Sequence, residues 1–130
     1  MATTPDFGTP LVAASQAQPE ITHNEAIRRC EVMAAGVAFA FRTVPYGAEI
    51  EGDVMIVDSP ATGDFAGMEN KIAFYWGGAW RFIPDVDSDG VDIPIGERHR
   101  GLRMYVQDYF AYSPMQGATV EWNGTAWVEV

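Results

Sequence analysis

Apolar residues recur at a helical spacing early in the chain and at strand spacings later. Ile27, Cys30, Ala34, Val37 and Phe41 follow one another at intervals of 3, 4, 3 and 4, which places them on one stripe of a helix running from about residue 22 to residue 41. The stripe covers about two heptads, short of the three or four that define a coiled coil. The opposite side also turns apolar after Glu31, with Val32, Ala35, Gly36, Ala38 and Phe39. A helix apolar all round is buried all round, by its own domain or by copies of itself. Residues 20–44 are therefore expected to form a helix and linker that serve as an oligomerisation element.

The start of that helix is spelled Thr22-His23-Asn24-Glu25, the S/T-x-x-E form of a capping box. In such a box the Thr22 hydroxyl accepts from the amide of residue 25, and the Glu25 carboxylate reaches back to the amide of residue 22. Losing a cap of this kind costs roughly 0.5–2 kcal/mol. The histidine, asparagine and glutamates of "AQPEITHNEAIRRC" thus read as a structural joint, with His23 an exposed neighbour of the cap. Residues 1–19 are rich in Thr, Pro, Ala, Ser and Gln and follow neither period, as expected of an extended arm that lies along a neighbouring subunit or other partner. Phe7, Leu11 and Val12 are its expected anchors.

After Pro45 the texture changes to short runs of β-branched and aromatic residues separated by Gly, Pro, Asp and Asn, the mark of a compact antiparallel β domain over 45–130. Strands are predicted near 53–57, 71–76, 79–83, 102–106, 109–112, 118–122 and 125–129. Asn123-Gly124 predicts a two-residue type I′ turn, with Trp122 opposite Thr125, Val120 opposite Trp127, and both tryptophans on one face. "YWGGAW" (75–80) and "WNGTAW" (122–127) share the pattern aromatic-x-Gly-[Gly/Thr]-Ala-Trp, which implies two hairpins of one design. The fold class is mainly β with one N-terminal helix.

Charge and composition narrow the partners. With 130 residues the chain can bury one core. A net charge of -10, from 18 acidic and 8 basic residues, opposes attraction to nucleic acid or an anionic membrane surface. Arg98, Arg100 and Arg103 cluster around His99 directly after the acidic run Asp85 to Asp92, and mutual neutralisation is the expected arrangement. Cys30 is the sole cysteine, which excludes an intrachain disulfide and fits folding in a reducing cytoplasm. The N-terminus has no basic, apolar-cored export signal, and no stretch has the length of a membrane span.

Candidate chemistry is sparse. Asp85, Asp87, Asp89 and Gly90 open like a calcium loop, but position 12 is Gly96 and Glu97 falls one residue late. A solvated acidic turn is the favoured reading, with calcium the one cofactor the pattern suggests. No nucleophile elbow, paired-histidine metal motif or phosphate loop is present, so a non-enzymatic protein is expected. Trp76, Tyr109, Tyr112 and Trp122 are the candidates for a ligand-facing surface, although tryptophans on a small sheet mostly fill the core.

The stretches "PLVAASQAQPEITHNEAIRR", "EGDVMIV", "ATGDFAG", "KIAFYWGGAWRFI" and "VEWNGTAWVEV" together resemble a family of domains of unassigned function found in phages, prophages and gene transfer agents of alphaproteobacteria. Members are usually modules of tail-fibre or other virion surface proteins. The chain departs from the family at Pro19, where a Lys is common, and in added segments near 85–100 and 109–118. The family has no established catalytic residues to carry over. The resemblance implies a virion structural protein of the tail tip, fibre or fibre-attachment region, assembled in the host cytoplasm. Such a subunit is expected to form a homotrimer and to reach other virion proteins through its arm. A capsid-surface head fibre or decoration protein is the nearest variant, and a glycan-binding module that recognises the host is the reading from another class.

Overall fold

The structure, a computed structural model, describes residues 2–107 and 117–130. Over these residues it is mainly β, with two four-stranded sheets and one α-helix near the N-terminus. The helix α1 spans Pro19–Ala35 and the strands are β1 (Val37–Ala38), β2 (Ala40–Arg42), β3 (Val54–Val57), β4 (Ile72–Trp76), β5 (Ala79–Ile83), β6 (Arg103–Val106), β7 (Ala118–Trp122) and β8 (Trp127–Glu129). One sheet has the order β1-β6-β7-β8 and the other β2-β3-β4-β5. The predicted strand at 109–112 lies outside the described residues.

Helix α1 begins and ends earlier than its apolar period predicts. Pro19 occupies the first turn, where its fixed φ suits the helix and its missing N–H is no loss. Thr22 therefore sits one turn inside the helix, and the capping box does not form. The Thr22 hydroxyl accepts from Gln16 Nε2 at 2.5 Å, and Glu25 pairs with Arg29 and Arg81. At the other end Gly36 adopts φ 62° and its N–H closes on Val32 O, the left-handed cap that stops a helix. Val37 and Phe41, expected on the helical stripe, are instead strand residues.

The run from 37 to 42 joins the two sheets. Val37 pairs with Tyr105 and Ala38 with Val106, parallel, in the first sheet. Three residues on, Ala40, Phe41 and Arg42 pair with Met55, Ile56 and Val57, also parallel, in the second. The remaining pairings are antiparallel, as expected. Ala38, Phe41, Ile56, Phe74, Met104, Val120 and Trp122 meet in a core that draws on both sheets and on Val32 of α1. The other face of the second sheet is covered too. There Met55, Val57 and Ala73 pack under Phe65, with Tyr46, Met68, Trp80 and Phe82 around them.

The arm is neither extended nor directed away from its own domain over residues 2–10. Thr3 and Pro10 bridge as an antiparallel pair, and the loop they close lies on the segment after β5. Thr3 Oγ1 donates to Val86 O, Asp85 N to Phe7 O, and Arg98 to Pro5 O. Gly8, at φ 67°, sits so close to this segment that a Cβ would stand 2.5 Å from Val86 O. Of the expected anchors only Phe7 is partly buried, with its ring 5.1 Å from that of His99. Leu11 and Val12 remain 44% and 48% exposed and belong to neither buried cluster of the described residues.

Both hairpins carry the same cross-strand pair. Tyr75 stands opposite Trp80 and Trp122 opposite Trp127, each pair edge-to-face with centroids 5.4 Å and 5.6 Å apart. The first hairpin turns on Gly77 and Gly78, both at positive φ, as a two-residue loop requires. The second differs from expectation, because its loop is the four residues 123–126. Asn123 Oδ1 accepts from the amides of Thr125 and Ala126 and from the Thr125 hydroxyl. That side-chain turn moves the register so that Trp122 meets Trp127 directly, while the two rings keep the shared face.

Candidate functional site

The joint read in the sequence around residues 20–30 is built on Arg29, which is 2% exposed. Its guanidinium donates to Glu25 Oε2 at 2.9 Å, Asp85 Oδ2 at 2.7 Å and Phe82 O at 2.7 Å, and lies 5.1 Å from the Phe74 ring centroid. Every face of the cation is engaged, and the buried side of the helix is thereby polar at its centre. Its apolar residues face both ways: Val32 and Met33 pack into the core, whereas Ile27 is 54% exposed with Cys30 and Ala34 exposed beside it on an outer face, and Ile21, also exposed, lies about 120° around the helix from Ile27. Of the five residues expected at an oligomer interface, Ile27, Cys30 and Ala34 form this outer face. Val37 is half-buried in β1, and Phe41 belongs to the core.

A cleft opens on the outer side of the second sheet. It has a volume of about 410 Å³ and is lined by Glu49, Asp64, Tyr75, Gly78, Ala79 and Trp80. The β4–β5 hairpin supplies the aromatic pair, the loop before β3 supplies Glu49, and the turn Gly63–Phe65 supplies Asp64. The buried carboxylate of Asp53 shapes that loop, accepting from the Tyr46 hydroxyl and the Ile50 amide. Partial desolvation alone would raise the Glu49 carboxyl. Hydrogen bonds from the Gly47 amide and its own amide, together with the Trp80 indole and the Arg42 charge, outweigh it and hold Glu49 below its ordinary value. The Trp80 N–H is near enough to favour the carboxylate but completes no bond of normal geometry, so Nε1 is buried without a hydrogen-bond partner among the described residues.

A family described as "Protein of unknown function (DUF2793)" matches residues 23–102. The chain belongs to this family. No curated protein sequence matches it. The DUF2793 match takes in the outer face of α1, the segment shared by both sheets, β3 to β5 and all six residues lining the cleft. It stops one residue before β6, so the arm and three strands of the first sheet lie beyond it.

The remaining sequence candidates of this DUF2793 chain fall as follows. Trp122 is 1% exposed and donates through Nε1 to Gly96 O, which makes it core and removes it from any ligand surface. Trp76 is partly buried against the same core. Tyr109 and Tyr112 lie outside the described residues. The three calcium-loop carboxylates do not converge. Asp85 is held by Arg29, while Asp87 Oδ1 accepts from the amides of Asp89 and Val91. Among the described residues no group of three or more His, Cys, Asp or Glu is placed to hold a metal.

The basic cluster is neutralised, but not by the acidic run before it: Arg98 faces Asp6, Arg100 faces Glu97 and Arg103 faces Glu121, while Asp85 and Asp92 of that run pair with Arg29 and Lys71. His99 is buried and orders the arm, accepting from the Gly96 amide at Nδ1 and donating from Nε2 to Asp6 O at 2.7 Å. Sequence reasoning missed the cleft because Glu49 and Asp64 are ordinary loop carboxylates in the linear order. The available signal was the hairpin echo, which marks Tyr75 and Trp80 as a pair.

Proposed function

We propose that this protein is a non-enzymatic structural component of a phage or phage-like particle, in the tail-fibre, tail-tip or fibre-attachment region, and that it assembles with copies of itself through the outer face of α1. The virion setting is supported by the resemblance of its sequence blocks to modules of virion surface proteins. The observation that carries the assembly role is the outer face of α1, where Ile27, Cys30 and Ala34 are exposed while Arg29 and Val32 are buried on the inner side. Those three exposed residues stand at spacings of three and four, so they form one short stripe, and an apolar stripe turned to solvent marks a contact site. Trimers follow by analogy with fibres in general.

Light scattering on the purified chain tests the assembly role. The reading expects a trimer mass that falls to the monomer in Ile27→Glu; a monomer at all concentrations would contradict it. Immunogold labelling of particles tests the setting. Label at the tail end supports the fibre reading, label over the head moves the protein to a capsid-surface role, and unlabelled particles remove the virion assignment. A glycan-binding role has lost part of its support, since one of the four rings expected to serve it, Trp122, is core.

A further inference from the structure

The cleft beside Trp80 has walls of one chemical character. Its lining holds two carboxylates, two aromatic rings and no basic side chain. A third carboxylate, Glu51, reaches its rim, where Oε1 accepts from the Gly78 amide at 3.3 Å. Arg42, the cation acting on Glu49, is not part of the lining; it donates to Val44 O at 2.9 Å, and its guanidinium lies 5.7 Å from the Tyr46 ring centroid. Asp64 is exposed and makes no ion pair or hydrogen bond among the described residues. Tyr75 and Trp80 meet edge to face at 70°, with Phe65 packed edge-to-face against Trp80 as well, so the rings form an angled corner instead of a flat platform.

Carboxylates that converge on aromatic faces attract a cation twice, through charge and through the ring quadrupole. A flat sugar ring stacks best on an open, planar face, which the Tyr75–Trp80 corner does not present. The net charge of -10 adds a long-range field of the same sign.

We propose that the cleft formed by Glu49, Asp64, Tyr75 and Trp80 is a binding site for an organic cation, a guanidinium or ammonium on an aliphatic stem. The stem lies along the Trp80 and Tyr75 rings, and the charged head sits between Glu49 and Asp64. The volume of about 410 Å³ takes such a group with its stem. The cation is either a free small molecule or a Lys or Arg side chain offered by another protein. This inference does not depend on the virion reading.

The test follows the indole N–H resonance of Trp80, assigned with Trp80→Phe, while the full chain is titrated with N-acetyl-arginine amide, with a hexapeptide carrying one arginine, and with glucose. Saturable shifts with the two cations and none with glucose are expected. Asp64→Asn, which removes no contact of the fold, should weaken binding about threefold to fivefold, and added salt should weaken it further. Similar affinity for the amide and the peptide identifies a free ligand, and much tighter binding of the peptide identifies a protein side chain. No saturable shift with either cation, undiminished binding in Asp64→Asn, or a response to glucose alone would overturn the assignment.

Discussion

Arg29 Nη2 donates to Asp85 Oδ2 at 2.7 Å, tying the middle of α1 to the segment that leaves β5. The bond holds the Arg29 side of the helix, which also carries Val32, against the β domain, and the Ile27 side is turned to solvent. Arg29→Ala should cost roughly 2–4 kcal/mol, somewhat less than a fully buried pair, because Glu25 and Asp85 keep some access to water. Asp85→Asn should cost about 1 kcal/mol. Urea unfolding of both variants and of the double variant checks the coupling.

Gly8 is required where it stands. Both its φ of 67° and the 2.5 Å approach of an added Cβ to Val86 O oppose a side chain. Gly8→Ala should lift the loop of residues 2–10 off the β domain, at a cost of about 1–3 kcal/mol. Hydrogen exchange should then rise at Asp85 N, which donates to Phe7 O, while the β3–β4 amides keep their protection.

Asn123 satisfies three donors with one oxygen. Asn123→Ala should destabilise by about 0.5–1 kcal/mol, because the two amides it releases are exposed and turn to water. Asn123→Asp, which keeps the oxygen, should recover most of the loss. Thermal melts of the two variants separate the turn's chemistry from its mere exposure.

Glu49 gives the fold one pH-dependent element with a defined sign. Its folded-state value lies below the ordinary 4.5, so the carboxylate binds its proton less readily in the folded state than in the unfolded one. The stabilisation is complete above the ordinary value and is lost as pH falls from there through the folded value. Glu49→Gln should remove that part of the acid dependence and leave stability above pH about 6 with no slope from this group. Denaturant midpoints measured across the acid range check it.

The described strands from Val54 on were legible because each is a short run of β-branched and aromatic residues bounded by turn residues; predicted and observed limits there agree closely, except at β8. The end of α1 was not legible from periodicity. Val37-Ala38-Phe39-Ala40-Phe41 continues the helical spacing, and the cap at Gly36 together with the distant pairing partners Met55 to Val57 and Tyr105 to Val106 makes these residues strands. The start was misread because Thr22-x-x-Glu25 satisfies the capping pattern while Pro19, three residues earlier, supplies a sufficient start by itself. The cleft stayed hidden for a different reason. It combines residues from 49 to 80, and nothing local to Glu49 or Asp64 announces that the β4–β5 hairpin stands beside them. The outer stripe of α1 was found as an apolar pattern, though only Ile27, Cys30 and Ala34 of it survive as one surface.

The six residues 37–42 belong to both sheets, yet their partners are made at very different times. Phe41 finds Ile56 after a short loop, whereas Val37 finds Tyr105 only when most of the chain exists. During synthesis the second sheet can close early around Phe65, leaving Phe41, Ile56 and Phe74 uncovered on its other face. The late arrival of β6 to β8 then acts as the step that seals the interior. A chain interrupted near Leu102 would carry most of the family's matched region and still present that open face to any chaperone or protease nearby.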